Sequence, residues 1–211
     1  RGFVAATTSV AFNGSIVLTA GVNANGTIGA LTTGNLILAD GRFSSSVTQI
    51  LLDPNDTSKI TDAQVIADSF MRLKGGTIYA GPGSVIQLKG STGAGKIELL
   101  ASQRVYLDSG SLIDASGTTD AVASASQNSV AVELRADELK DAPVVRKSPL
   151  YQKTIYIDRT ASGSGWTGRP LADASGWISL SVRSLSERMM HGGTVTIAGI
   201  PEASGGNPVP T

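Results

Sequence analysis

Between residues 75 and 117 the apolar or alternating runs are all short: 77–79, 85–88, 96–100, 104–107 and 112–113. Glycine, serine, alanine and aspartate punctuate them. Runs this short cannot form independent hairpins with a core of their own. Ile78 and Ile97 stand 19 residues apart, each opening a similar run after a glycine-bearing turn. Upstream, Gly14-Ser-Ile-Val-Leu-Thr-Ala-Gly21 and Gly34-Asn-Leu-Ile-Leu-Ala-Asp-Gly41 repeat one design at a spacing of 20. A period near twenty with strand and turn in each unit is the sequence signature of stacked repeats. The expectation is an all-β chain, a right-handed parallel β-helix of ~20-residue coils with short helical and loop excursions. Ile16, Leu18, Leu36, Leu38, Ile78, Ile97 and Leu99 would face inward. A sandwich of short antiparallel strands shares the same turns and alternation, and Asn13-Gly14 and Asn25-Gly26 are its best hairpin signals.

Composition fits thin layers of aliphatic residues. Hydrophobic residues are 41 % of the 211, aromatic ones 5 %, and there are 25 glycines. Lys+Arg and Asp+Glu both number 17, so nothing attracts nucleic acid or an anionic membrane by bulk charge. Cysteine is absent, which frees an exported chain from oxidative folding. No run approaches the ~18 apolar residues of a membrane-spanning helix. The chain opens Arg1-Gly2-Phe3, without an initiator Met or signal peptide, and reads as an interior piece of something longer.

Three regions follow. Residues 1–134 read as a β-helical shaft with a short helix near 62–69, where Thr61 and Gln64 fit a capping box. Residues 135–192 read as an excursion packed on that shaft, with short helices and one strand, Thr154-Ile-Tyr-Ile-Asp158. In it, residues 136–141 could form a helical turn that Pro143 stops. Ser184 and Glu187 make a second capping box. Residues 193–211 return to the β-helix and fray in a Gly/Pro/Ser-rich end.

Several motifs invite a chemical reading. Gly90-Ser-Thr-Gly-Ala-Gly-Lys96 matches the G-x-x-x-x-G-K of a phosphate-binding loop, but Ile97 stands where a Ser/Thr hydroxyl should meet Mg²⁺. A glycine-rich corner ending in a surface lysine explains it better. Arg104, Asp108 and Asp114, with Glu98 on a neighbouring strand, are the candidates for polysaccharide chemistry. Turn-forming Asx bonds account equally for Asp108 and Asp114. The single His191 falls at a helix C-terminus and, without cysteine, gives no zinc set. No cofactor, metal site or catalytic residue is expected, and the chain does not read as an enzyme. Asn13, Asn25 and Asn55 sit in glycosylation triplets that read as corners. Tyr151, Tyr156, Trp166 and Trp177 gather in the excursion and could receive a sugar or a partner protein; covering the flank is the plainer role.

One ordered set is more specific. Val132-Glu-Leu-Arg-Ala-Asp-Glu-Leu-Lys-Asp-Ala-Pro143 is followed by the 154–158 strand, then by Gly168-Arg-Pro-Leu-Ala-Asp-Ala-Ser-Gly176, Arg183-Ser-Leu-Ser-Glu-Arg188 and Gly192-Gly-Thr-Val-Thr-Ile197. With Gly110-Ser-Leu-Ile-Asp-Ala-Ser-Gly117 and the upstream repeats, it resembles an interior segment of the filamentous haemagglutinin-type large exoproteins exported by two-partner secretion. The resemblance covers about the second half of the chain most closely. It implies a β-helical shaft, secretion to the bacterial cell surface through an outer-membrane transporter, and adhesive or fibre-forming roles. Its implied partners are a receptor or glycan on a host or neighbouring cell. Were the segment to stack end to end, its exposed first and last coils would be the contact surfaces, since unpaired edges recruit strands. The alternative is a carbohydrate-binding or carbohydrate-cleaving protein.

Overall fold

The computed structural model describes residues 2–21, 34–39, 45–119, 121–122, 125–134, 143–149, 151–158 and 175–199. In chain order the elements are β1 (Gly2–Thr8), β2 (Ser15–Thr19), β3 (Asn35–Leu38), β4 (Ser46–Leu52), β5 (Lys59–Thr61), β6 (Phe70–Ala80), β7 (Ser84–Leu88), β8 (Lys96–Leu107) and β9 (Leu112–Asp114). A 3-10 turn (Ala125–Asn128) precedes β10 (Ser129–Glu133), α1 (Pro143–Arg146), β11 (Thr154–Asp158), α2 (Ser175–Ser179), β12 (Val182–Ser184), α3 (Leu185–Arg188) and β13 (Thr194–Gly199). The chain divides into two units: Arg1–Ser58 with Ile66–Ala121 and Leu185–Thr211, and Lys59–Val65 with Val122–Ser184.

The first unit holds two parallel sheets. One has the order β1-β4-β7-β9; the other runs β13-β8-β6-β2, with β3 also paired to β6. Strict alternation builds both, since successive side chains leave a strand on opposite faces. Along β6 every second residue is buried except at Gly75-Gly76, where both are, and the inward rows of the two sheets join in one cluster. Ile50, Met71, Leu73, Ile78, Ile86, Leu88, Ile97 and Leu99 are fully enclosed there. Burying each such side chain contributes about 1.5–3 kcal/mol, so this cluster is the main stabilising feature of the unit. Of the residues expected inside, Ile16, Leu38, Ile78, Ile97 and Leu99 are buried, and Leu18 and Leu36 pack partly against the cluster.

The arrangement of these strands corrects the expected parallel β-helix. The two segments that repeat at twenty residues do not stack on each other. Ser15–Thr19 pairs with Phe70–Lys74, and Asn35–Leu38 pairs with Thr77–Ala80, so both lie lengthwise along the one strand β6. Ile78 and Ile97 are not partners either: Ile78 faces Val105 and Ile97 faces Met71. Arg72 and Glu98, neighbours on β6 and β8, are 26 residues apart. The described residues thus form several small sheets and not a solenoid of ~20-residue coils, neither over 1–134 nor after 193. The physical reason is that glycine-bounded runs fix where a strand starts and stops. They do not fix which strand it meets. β8 also runs unbroken through two expected runs, with one extra residue between its Gly75↔Ala101 and Thr77↔Arg104 pairs. That bulge re-aims the side chains that follow it.

The second unit is built from short antiparallel pairs, β10 with β11 and β12 with β5. The helix expected near 62–69 is absent. Thr61 pairs with Val182 instead, and the amides of Asp62 and Ala63 donate to the carbonyls of Ser181 and Ser179. Extended pairing claims the backbone that a capping box would have wound. Pro143 opens α1 where it was expected to stop a helix; at a first helical position its missing N–H costs nothing. Residues 136–141 lie outside the described set. In the first unit the 184–187 capping box does precede a helix, α3, whose Leu185 carbonyl accepts from the Met189 amide at 3.0 Å. Among the described residues no helix is long and apolar enough to cross a membrane, which says nothing of crossing by strands.

Candidate functional site

The glycine-rich corner at 90–96 is organised around a carboxylate of its own chain. The half-buried Asp68 accepts from Ser91 Oγ at 2.8 Å and from the Thr92 amide at 2.7 Å on one oxygen, and from Thr92 Oγ1 on the other. Ser91 Oγ in turn accepts from the amides of Gly93 and Gly95, both at 2.8 Å. In a phosphate loop such amides point at the ligand. Here they are turned onto an internal anion and a buried hydroxyl, and Lys96 opens β8, where a phosphate loop opens a helix. Burial works to raise the Asp68 carboxyl, but hydrogen bonds from Thr92, Ser91 and Ala94 outweigh it and hold it below the usual carboxylate range.

The charged residues singled out in the sequence are spread along outer faces and tied across strands. Glu98 accepts from Arg72 Nε at 2.6 Å, and the Arg72 guanidinium lies 5.5 Å over the Phe70 ring. Asp114 takes Lys89 Nζ at 2.9 Å and Gln87 Nε2 at 3.0 Å, with the Ser116 amide on its other oxygen. Burial opposes these contacts, yet they hold the Asp114 carboxyl far below the ordinary range. Asp108 accepts from Tyr79 Oη at 2.7 Å, and Tyr79 stacks on Tyr106 with centroids 5.3 Å apart. Arg104 is exposed and lines an open groove of about 220 Å³ with Ala101, Gln103, Val105, Ile197, Ala198 and Gly199. Glu98, Asp114 and Asp108 thus belong to separate cross-strand pairs, each worth a few tenths of a kcal/mol to about 1.

His191 lies three residues past α3, its amide donating to the Ser91 carbonyl at 3.1 Å. Among the described residues no group of three His, Cys, Asp or Glu side chains could hold a metal. Asn13 donates to the Asp68 carbonyl and Asn55 binds back to Asp53, as corners do; Asn25 lies outside the described set.

Of the aromatic candidates, Tyr156 on β11 is 73 % exposed and Trp177 on α2 is 42 % exposed, so both present ring surface to solvent. Tyr151 is half-buried in the turn before β11, and Trp166 lies outside the described residues. The ring stack of the described residues is Tyr79–Tyr106, in the other unit.

Sequence reasoning gave too little weight to one feature, the rim of the first unit. β13 pairs with β8 alone among described strands, and β1 with β4 alone. Val195 and Ile197 sit in register with the enclosed Ile97 and Leu99, yet are 41 % and 50 % exposed. Phe3 and Val4 on β1 are likewise exposed. The Thr-Val-Thr-Ile alternation shows the strand but not that its inward row is left uncovered.

Comparison with protein-family models, with curated proteins and with solved structures returns no match.

Proposed function

We propose that this chain is a structural, adhesion-bearing segment of a secreted or cell-surface filamentous exoprotein. The observation that carries this reading is how the outer polar groups are used. Arg72, Glu98, Lys89, Asp114, Tyr79 and Asp108 are engaged pairwise in locking one strand to the next. A surface spent on cross-strand ties over a continuous aliphatic core suits a stiff, load-bearing spacer. The motif residues at 132–143, 154–158, 168–176 and 183–197 support the exoprotein class, with export through an outer-membrane transporter and a surface receptor or glycan as partner. The exposed rings of Tyr156 and Trp177 are the contacts offered to that partner.

The test is adherence. Beads coated with the chain should bind cells, and Tyr156→Ala with Trp177→Ala should lower binding at least several-fold while circular dichroism stays unchanged. Equal adherence by folded variant and parent contradicts the assignment of these rings. The Arg104 groove beside the Tyr79–Tyr106 stack favours a second reading, a carbohydrate-binding or carbohydrate-cleaving protein. Binding or product release on a glycan panel, lost in Arg104→Ala, supports that reading over the first.

A further inference from the structure

The two rims of the first unit are complementary in polarity and patterning. All strands of its two sheets run parallel, so a strand added in the same sense at a rim continues the existing ladder. At one rim, β13 leaves Val195 and Ile197 uncovered, beside the half-buried Ile113 of β9, the edge of the other sheet, and Ala115 just after it. At the opposite rim, β2 and β1 carry the half-buried Leu18 and Ala6 and the exposed Val4 in the inward rows, with Ile16 already enclosed. The Thr194 amide donates to the Gly95 carbonyl, towards β8. Backbone groups alternate along a strand, so the N–H and C=O of Val195 and Ile197 point away from it. By the same alternation the Ala20 amide, which donates to Lys74, leaves Val17 facing outward on β2.

Charge sits where it does not protect. Edge strands usually carry lysines or prolines that block further pairing. Here β1, β2, β3 and β13 carry no charged residue and no proline, while Arg72, Lys74, Lys96, Glu98 and Arg104 lie on the central β6 and β8. The one charge on a described edge strand of this unit, Asp114 on β9, is paired with Lys89 at 2.9 Å. A two-fold dimer of β13 with β13 would need antiparallel pairing. A second copy placed head to tail keeps the polarity, extends each inward row and leaves the same rim free again.

We infer that the chain self-associates head to tail, the β13 rim of one copy taking the β2 and β1 rim of the next by parallel strand addition. Such a heterologous contact does not close, so it produces open filaments and not dimers. The strands are short, so association is weak and concentration-dependent. This goes beyond the adhesive role and does not depend on it, since adherence reads the role and sedimentation reads the contact.

The experiment uses analytical ultracentrifugation of the full chain between about 1 µM and 1 mM. Val195→Pro with Ile197→Pro removes the outward donors of one rim, and Val17→Pro with Ala5→Pro alters the other; neither removes a donor facing β8 or β6. The wild type grows in mass with concentration, each rim variant stays monomeric, and their equimolar mixture forms one-to-one pairs that grow no further. Val195→Lys with Ile197→Lys, at exposed positions, repeats the first arm if the prolines unfold the strand. A wild type that stays monomeric throughout overturns the inference. So does dimerisation of the β2/β1-rim variant alone, or a mixture of folded variants that fails to pair.

Discussion

Asp68 accepts hydrogen bonds from one amide and two hydroxyls of the 91–92 turn, with Ala94 adding a further backbone bond. Truncation to Ala strands these donors. Because hydrogen bonds to charged acceptors are worth ~1.5–3 kcal/mol and do not add, Asp68→Ala should cost about 2–4 kcal/mol in urea unfolding. Asp68→Asn, which keeps one acceptor oxygen, should cost less. The carboxyl is lower in the folded chain than unfolded, so its contribution is fully present above the unfolded value and fades as pH falls through the folded one. Asp114 is shifted the same way. Unfolding free energy should therefore hold steady from neutral pH to about pH 5 and fall below about pH 4, with a shallower acid slope in Asp68→Asn. A slope unchanged by the substitution contradicts this role. At this scale the sequence showed a corner at 90–96 but not its anchor. Ser91 and Asp68 are 23 residues apart, and no spacing rule links a turn to a carboxylate on another segment.

Among elements, the β5–β12 pair depends on one ion pair. Arg183 Nε and Nη2 each meet an oxygen of Asp62 at 2.7 Å, a two-pronged geometry that lysine cannot reproduce. Arg183→Met should destabilise the second unit by about 1–2 kcal/mol, and Arg183→Lys should recover only part of it. Hydrogen exchange at the Asp62 and Ala63 amides checks this: both should exchange faster in Arg183→Met than in wild type. Unchanged protection shows that backbone pairing alone holds the strands. Thr61 and Gln64 illustrate why this element was misread. Their capping signal is local, whereas the pairing of Lys59–Thr61 with Val182–Ser184 spans more than half the chain. In the second capping box a strand claims only Ser184, the last residue of β12, and α3 forms from Leu185 onward.

For the whole molecule, alternation made the strands and their inward faces legible: Ile78, Ile97 and Leu99 are buried as expected. Their order in the sheets was not legible. A recurrence at twenty residues specifies like strands, and like strands can lie end to end along a longer partner as readily as they stack. The length of β6, 11 residues, decides between these, because it accepts β2 and β3 end to end. The rims follow from the same order: of the described strands left outermost, β1, β2, β3 and β13 are uncharged and β9 carries Asp114, which Lys89 pairs. With no native cysteine, introduced pairs report this order directly. Under mild oxidation Val17→Cys with Arg72→Cys, register partners on β2 and β6, should form a disulfide within one chain, while Val17→Cys with Ile37→Cys should not. A cross-link in the second pair and none in the first would show the twenty-residue segments stacked on one another, and the sheet order described above would be wrong.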